Sequence, residues 1–536
     1  MQVDQYANLW LGLDNGIDYV EINSPLTNFS SFHGLSAGYA AVLHNGLLYF
    51  GTNRGVFYYE WEKLREGNSD QNFKIVPNTQ GQVWDLRVVD GTLFCGHNSG
   101  VFVIEGTEAR LLSDVNGGWT FIRPTGHENL LLCGMHSGLI RFEKKNGEWQ
   151  EGSRIRGFRE SSRFLTNSTE NSLWMSHGYK GVFRILLNEQ CDSVIKVDFY
   201  NNMHGLPTDR DINVLEFRGK SVFTTDEGFY HFDARINGFV TDEEMNQLFP
   251  VQDIRTFKED EEGNLWYFTT RRAGVFRLQE DGNFVNVDVP FRELEGEFIK
   301  WFQFIYPLSN KDVFFAVKDG FVHYTPDYSK NYQQSFKSFI RQVGLSGLDS
   351  IVCWGSSGEA GKIEDIAYQF NRIEMQFSAN AFGNPEGIMF STFLEGFDDD
   401  WIPWQHRSSR EFTNLGHGTY SFSVKAKNVF GIESSITSLE FEILPPWYLE
   451  WWAYIVYGVI FLALLLMLIV YVQRRLDRSK LREQEKQKKL FSEREKQLQT
   501  EALKAEKEVI RLRNEKLREE MVQKDKELAL SLIHIS

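Results

Sequence analysis

Eight times along its first 324 residues the chain repeats one pattern: an apolar, aromatic-rich run, a short polar turn closing on glycine, then a second apolar run. The copies read LWLGLDNGIDYV, LYFGTNRGVFYY, LFCGHNSGVFVI, LLCGMHSGLIRF, LWMSHGYKGVFRI, VFTTDEGFYHF, LWYFTTRRAGVFRL and VFFAVKDGFVHY. The turn glycines are Gly16, Gly55, Gly100, Gly138, Gly181, Gly228, Gly274 and Gly320, and the 304 residues from first to last fall into seven intervals of about 43. Apolar and polar residues alternate with period two around each turn, which is strand patterning. Glycine supplies the positive φ that a tight hairpin needs without steric cost. Four short strands occupy about 43 residues, the size of one β-propeller blade, and the absence of any 3.6-residue periodicity excludes a helical solenoid. The aromatic residues just before the turns, Trp10, Tyr49, Phe94, Trp174, Trp266 and Phe314, are expected to fill the wedges between blades as core. The first copy lacks the front half of its blade. Residues 1–330 therefore read as seven blades and a leading remnant, which either completes the last blade and closes the ring or ends an upstream propeller.

After Tyr324 the repeat stops. Residues 335–446 carry short strands (RIEMQFSA, MFSTFLEGF, REFTNL, GTYSFSVKAKN, SLEFEIL) at the spacing of an Ig-like or fibronectin-III-like β-sandwich, and Pro445-Pro446 ends the last of them. Residues 451–472 (WWAYIVYGVIFLALLLMLIVYV) are 22 positions without a charge. At 1.5 Å per residue they extend about 33 Å, enough to cross the hydrocarbon core of a bilayer as a transmembrane helix. Trp447, Tyr448, Trp451 and Trp452 decorate one end; Arg474, Arg475, Arg478 and Lys480 decorate the other. Positive flanks mark the cytoplasmic side, so residues 1–450 are expected outside and the tail inside, with the protein a single-pass component of the inner (cytoplasmic) membrane. The charge divides at the same place. Residues 473–530 hold 18 Lys+Arg and 13 Asp+Glu, a net +5, so the rest carries -21 of the chain's -16. That acidic body argues against a nucleic-acid-coating surface, and no residue present is expected to contact nucleic acid. Met1 opens directly into MQVDQYANLWLG, with neither a basic n-region nor an apolar h-region, so the chain is expected to lack its start.

Candidate chemistry is sparse. His97, His136 and His177 lie at or beside the same turn in three adjacent blades and are weak metal-ligand candidates, a tolerant turn residue being the favoured reading. The acidic run Glu259–Glu262 before Gly263 reads as an acidic hairpin turn in preference to a calcium loop. The cysteines at 95, 133, 191 and 353 form no CxxC pair and no metal spacing; Cys95 and Cys133 occupy equivalent blade positions and read as small buried hydrophobes. No Ser/His/Asp set, phosphate loop or paired-carboxylate spacing stands out, so no catalytic residue and no cofactor is expected, and the ligand-binding residues are not readable.

The order of parts, with the sandwich motifs Phe393-Leu394-Glu395-Gly396-Phe397-Asp398 to Trp401 and Thr413-Asn414-Leu415…Gly418-Thr419-Tyr420, resembles the bacterial two-component regulator propeller sensors with a triple-tyrosine (Y_Y_Y) domain, which include hybrid histidine kinases and LuxR-type regulators. The resemblance spans essentially the whole chain. Two positions where that family usually has tyrosine are Phe393 and Phe412, and Gly416-His417 replaces its usual Pro-Pro. Rings are kept and hydroxyls lost, so these positions are expected to pack. Asp398–Asp400 reads as an acidic turn.

Residues 474–529 are more than half charged and lack Gly and Pro. Leu503, Ile510, Leu517, Met521 and Leu528 fit one heptad seam with Asn514 at a core position, so a cytoplasmic coiled coil is expected to pair two copies of the chain. Leu530–Ser536 has the sequence that a common sequencing-adapter end would encode, and native sequence is expected to stop near Ala529. His534 has none of the neighbours of a phosphoacceptor box, and no kinase or helix-turn-helix motif follows. The resemblance therefore implies a signal-transduction receptor. Its outer propeller senses a small molecule or oligosaccharide, and the sandwich, span and coiled coil relay the change to an output outside these residues. The segment RLRNEKLREEMVQKDKELAL looks more like the linker before a LuxR-type DNA-binding regulator. A truncated sensor histidine kinase is the alternative, and an outward-facing scaffold or adhesion protein a third reading.

Overall fold

The computed structural model of the protein describes residues 1–4, 7–67, 72–251, 253–328, 330–345, 350–354, 361–363 and 365–531. His534 and most of the suspected non-native tail fall outside these. The chain is mainly β: a propeller, then a sandwich, then one long apolar-to-charged helix.

Seven four-stranded antiparallel sheets make the propeller. Their innermost strands are Gly38–His44, Val83–Val89, Thr120–Ile122, Phe164–Thr169, Asn213–Phe217, Ile254–Glu259 and Ile305–Pro307, defining blades 1 to 7. Each of these strands touches the next, and that of blade 7 touches that of blade 1, so the ring is closed. Blade 7 is assembled from both ends of the domain. Leu26–Phe29 pairs antiparallel with Gly320–Tyr324, setting Phe29 opposite Phe321 and Leu26 opposite Tyr324. The hairpin at Gly16 stays out of the ring. It forms a separate three-stranded sheet of Gln2–Val3, Leu9–Leu13 and Gly16–Val20, and the segment that follows it performs the closure.

Apolar clusters fill the wedges between blades. Phe50 of blade 1 lies 4.4 Å from Phe321 and 5.7 Å from Phe314 of blade 7, ring centre to ring centre, and all three are fully buried. Burying each such ring contributes about 2–3 kcal/mol. Tyr49, Phe94, Trp174, Trp266 and Phe314 are buried in these clusters; Trp10, expected as a sixth wedge ring, instead sits half-buried in the separate N-terminal sheet, outside the ring. The turn glycines serve a second purpose besides turning. Gly320 has φ +99°, and a Cβ there would stand 1.9 Å from the carbonyl oxygen of Phe29, on the closing strand. Gly100 and Gly181 are approached in the same way by the outer-strand carbonyls of Ser113 and Tyr200. The absent side chain is what lets the outermost strand's end cross the turn.

The sandwich pairs two four-stranded sheets. One runs Ser350–Trp354, Ser338–Leu345, Ile373–Ala379, Ser409–Phe412; the other Gly361–Lys362, Thr437–Ile443, Gly418–Lys427, Met389–Glu395. Alternate residues of Gly418–Lys427 (Tyr420, Phe422, Val424, Ala426) point into the shared core, as period-two patterning requires. Pro445-Pro446 and a single 3₁₀ turn, Trp447–Leu449, lead straight into the helix Trp451–Ser531, 81 residues or about 120 Å long. Its apolar first part is long enough to cross a membrane and, beyond the buried Ala453 of the first turn, is uncovered by protein. Tyr457 Oη donates to the Tyr448 carbonyl at 3.0 Å and Trp447 stacks on Trp452, tying the turn to the first helical turns. The seam residues Leu503, Ile510, Leu517 and Met521 are exposed along the single helix.

Candidate functional site

A cavity of about 450 Å³ opens where the N-terminal sheet, the linker after blade 7 and the sandwich meet. Strand register builds its first wall. Trp10 pairs across the sheet with Tyr19, so both rings project from one face, 4.9 Å apart. Phe382, in the loop after Ile373–Ala379, sits 4.7 Å from Trp10 and 5.6 Å from Tyr19. Asp4 fixes the tryptophan by accepting from its indole nitrogen at 3.3 Å. Tyr332 and Phe430, 5.1 Å apart, form the opposite side, and the amides of Asn331, Gln334, Asn380, Asn384 and Asn428 line the space between. Flat rings with convergent side-chain amides suit a polar ligand with an apolar face.

On the cavity wall itself Lys330 lies between two carboxylates, pairing with Glu21, which also lines the cavity, and, at 2.6 Å, with Glu293. The three come from different bodies: Glu21 from the segment after the N-terminal sheet, Glu293 from the connector between blades 6 and 7, Lys330 from the linker to the sandwich. Burial raises the Glu293 carboxyl above its ordinary range, Lys330 opposes that rise, and the Glu21 charge adds to it. Two further bonds fasten the same connector to the sandwich: Arg292 donates to the Phe430 carbonyl at 2.7 Å, and Asn384 donates to the Glu293 carbonyl at 3.2 Å.

The connector's other end reaches the propeller's channel. After the 3₁₀ helix Val289–Leu294, the chain carries Trp301 and Phe302 across the channel mouth. The Phe302 ring stands 5.5 Å from Tyr39 of blade 1 and 5.2 Å from Trp84 of blade 2. The guanidinium of Arg163, just ahead of the blade 4 strand, lies 3.8 Å from the same ring, and Trp119, just ahead of blade 3, is 4.4 Å from Trp84. Arg163 also donates to the Trp301 carbonyl. Trp301 holds φ +65°, a conformation a bulky residue adopts only under tertiary constraint.

Antiparallel pairing puts the starts of the innermost strands at the same rim as the glycine turns, since Val83 faces His97 and Phe164 faces Ser176. The three candidate histidines share this rim without meeting. His97 is buried, its Nδ1 2.7 Å from the Ser99 hydroxyl. His136 is exposed and packs 4.7 Å from Trp119. His177 faces Glu160 at 3.9 Å. Desolvation lowers all three imidazole pKa values. Among the described residues no three His, Cys, Asp or Glu side chains group closely enough to hold a metal. In the acidic run, Asp260 accepts from the backbone of Glu262 and Asn264 and from the Trp266 indole at 2.9 Å, which makes it the organiser of the turn. Asp398 takes a two-point bond from Arg410, 2.7 Å each, and caps the backbone of Leu394. Phe393 stacks on Trp401, Phe412 is buried, and Tyr420 Oη reaches the Gly416 carbonyl at 3.2 Å. Cys95, Cys133 and Cys191 are buried free thiols.

Sequence reading passed over the residues that converge here. Tyr39, Trp84, Trp119 and Arg163 occupy equivalent places just before or within the innermost strand of four successive blades. Aligning the repeats on that strand, instead of on the glycine turn, would have put a large flat group there in each. Lys330, Glu21 and Glu293 left no comparable signal.

Residues 381–444 match the Y_Y_Y domain family. No curated protein matches the chain. Among solved structures, the extracellular domain of a protein named as a hybrid two component system from B. thetaiotaomicron is similar with a TM-score of 0.53 and 17% identity, over 83% of this chain and 61% of that one. The extracellular domain of a protein named as a one component system from the same organism matches at a TM-score of 0.41 and 15% identity, over 83% and 63%. The chain spans less than two thirds of the length of either. Most of the sandwich thus matches the Y_Y_Y domain family, and propeller and sandwich together share the fold of the first of these extracellular domains.

Proposed function

We propose that this chain, a propeller and Y_Y_Y sandwich mounted on one apolar helix, is the sensing and transmitting part of a single-pass membrane receptor. The joint carries the reading. One connector, residues 288–304, touches the channel mouth through Phe302 and the sandwich through Arg292 and Glu293, while the sandwich meets the helix with only a proline pair and one turn between. A short stiff junction passes a displacement on instead of absorbing it. The joint cavity is the ligand site on this reading. Its rings offer stacking faces and its five amides offer paired donors and acceptors, the chemistry that grips an uncharged saccharide. Closing the cavity on a ligand draws the N-terminal sheet toward the sandwich and shifts Lys330 against its two carboxylates.

On this reading the propeller lies outside the inner membrane and the basic helix in the cytoplasm, an orientation supported by the basic flank Arg474–Lys480, and there the Leu503–Leu528 seam pairs two copies and drives a LuxR-type DNA-binding output. The experiment is a titration of the full chain in detergent micelles with a panel of neutral oligosaccharides, alongside Trp10→Ala. Binding by wild type that weakens at least tenfold in the variant supports the reading. Unchanged affinity in the variant overturns the site. An alkaline phosphatase fused after Leu530 tests topology, and activity there overturns the orientation.

A further inference from the structure

The channel mouth carries a feature the joint cavity does not need. Arg163 is half-buried among aromatic faces, and no carboxylate pairs with it among the described residues. Desolvation brings its guanidinium pKa down to about 10, so the cation persists at neutral pH while lacking the counter-charge that buried cations ordinarily hold. What satisfies it instead is a backbone carbonyl, that of Trp301, and the face of Phe302. Beside it the Trp84 indole N–H is buried and meets no acceptor among the described residues. Deeper in the lumen lie Arg87 and Lys258. They belong to blades 2 and 6, which are not neighbours in the ring, yet the Arg87 charge reaches Lys258 across the channel. Lys258 is reached by water but surrounded by protein, and this desolvation lowers its ammonium pKa, Arg87 adding to the fall and Asp85 opposing it. Asp85 is shared between Arg87 and the hydroxyl of Thr120. In a body that is acidic as a whole, Arg163 at the mouth has Arg87 and Lys258 below it, with Asp85 held by Arg87.

We propose that the propeller mouth is a second binding site, separate from the joint cavity, for a ring-bearing small anion, its carboxylate or sulfate on Arg163 in place of the Trp301 carbonyl and its flat face against Trp84 and Trp119. An anion accepts from a guanidinium through two parallel bonds, which a lone carbonyl cannot match, and it gives the Trp84 N–H an acceptor. Aromatic faces accept either the C–H face of a sugar ring or a planar ring. Occupancy displaces Phe302, and the connector carries that displacement to Arg292 and Glu293.

The test is isothermal titration of the full chain in detergent micelles with digalacturonate, glucose 6-sulfate, benzoate and neutral cellobiose. At least one anionic probe is expected to bind. Arg163→Gln should weaken that binding at least tenfold, Arg163→Lys should retain part of it, and Trp84→Phe, which keeps a ring and removes the N–H, should weaken it severalfold. Which anionic probe binds distinguishes a sugar acid, a sulfate ester and a planar acid. Failure of all three anions to bind, or affinity unaffected by Arg163→Lys and Trp84→Phe, overturns the proposal. Cellobiose binding that depends on Trp10 and not on Arg163 leaves the joint reading standing by itself, so the two can fail separately.

Discussion

Lys330→Met keeps most of the side chain's length and apolar stem and removes only its charge. In the wild type the side chains of Lys330, Glu21 and Glu293 are 12%, 20% and 13% exposed, so the cluster is largely withdrawn from water. Removing one partner of a buried pair costs about 3–5 kcal/mol, because the remaining charge stays uncompensated. The exposure that remains argues for the lower end, about 3 kcal/mol at pH 7.5. The loss depends on pH with a definite sign. Glu293 already titrates above its ordinary range through burial, and Lys330 is the influence holding it down, so deleting the lysine raises it further. A carboxyl whose folded-state pKa is raised binds protons more tightly folded than unfolded, so its contribution to stability is present at low pH and is lost as pH rises through that pKa. Lowering pH from 7.5 to 5 should therefore return about half of the loss, each pKa unit of extra rise being worth about 1.4 kcal/mol. Thermal unfolding of the full chain in detergent at both pH values reads the effect, with Lys330→Met/Glu293→Gln as the rescue. The double variant should recover most of the loss at pH 7.5. An equal deficit at both pH values, or no recovery in the double variant, refutes a joint held by an ion cluster.

Gly320→Ala should open the ring where its ends meet, since φ +99° and a Cβ 1.9 Å from the Phe29 carbonyl leave no room. A loss of about 3 kcal/mol or more and new proteolytic cleavage near residues 20–30 are expected, whereas Gly91→Ala, with φ +77° but open space around its Cβ, should cost only about 1 kcal/mol. Arg410→Gln strands Asp398, 11% exposed, without its two-point partner and should lower the sandwich's thermal transition by about 3 kcal/mol equivalent while leaving the propeller's unchanged. With the helical tail paired as proposed, Asn514→Leu should tighten that pairing while loosening its register, read by sedimentation and by disulfide cross-linking at neighbouring seam positions; a tail that stays monomeric in both forms refutes the pairing.

How much was legible depended on the range of the interaction. Blade number came from Gly55 to Gly320, because alternation and the glycine turn are short-range features written into each repeat. The Phe393 and Phe412 substitutions read as packing positions, and Phe412 is buried in the sandwich core. His97, His136 and His177 were legible as sharing a rim, but their spacing in the chain carries no information about how far apart seven tilted blades hold them. Arg163 was invisible as a site residue, since its partners Phe302 and Trp301 lie 138 or more residues away and come from a connector with no repeat signature.

By itself, then, the sequence determined what needs only neighbours: strands, turns, the wedge aromatics and an uncharged run long enough for a bilayer. Period, propensity and hydropathy act within a few residues, so a single chain displays them. Tertiary structure decided which strand closes the ring, that the Gly16 hairpin stands outside it, that Lys330 draws Glu21 and Glu293 together, and that one connector spans mouth and joint. Each of these rests on groups brought together by ring closure and domain packing, where geometry in three dimensions and the removal of water decide the partner and separation along the chain does not.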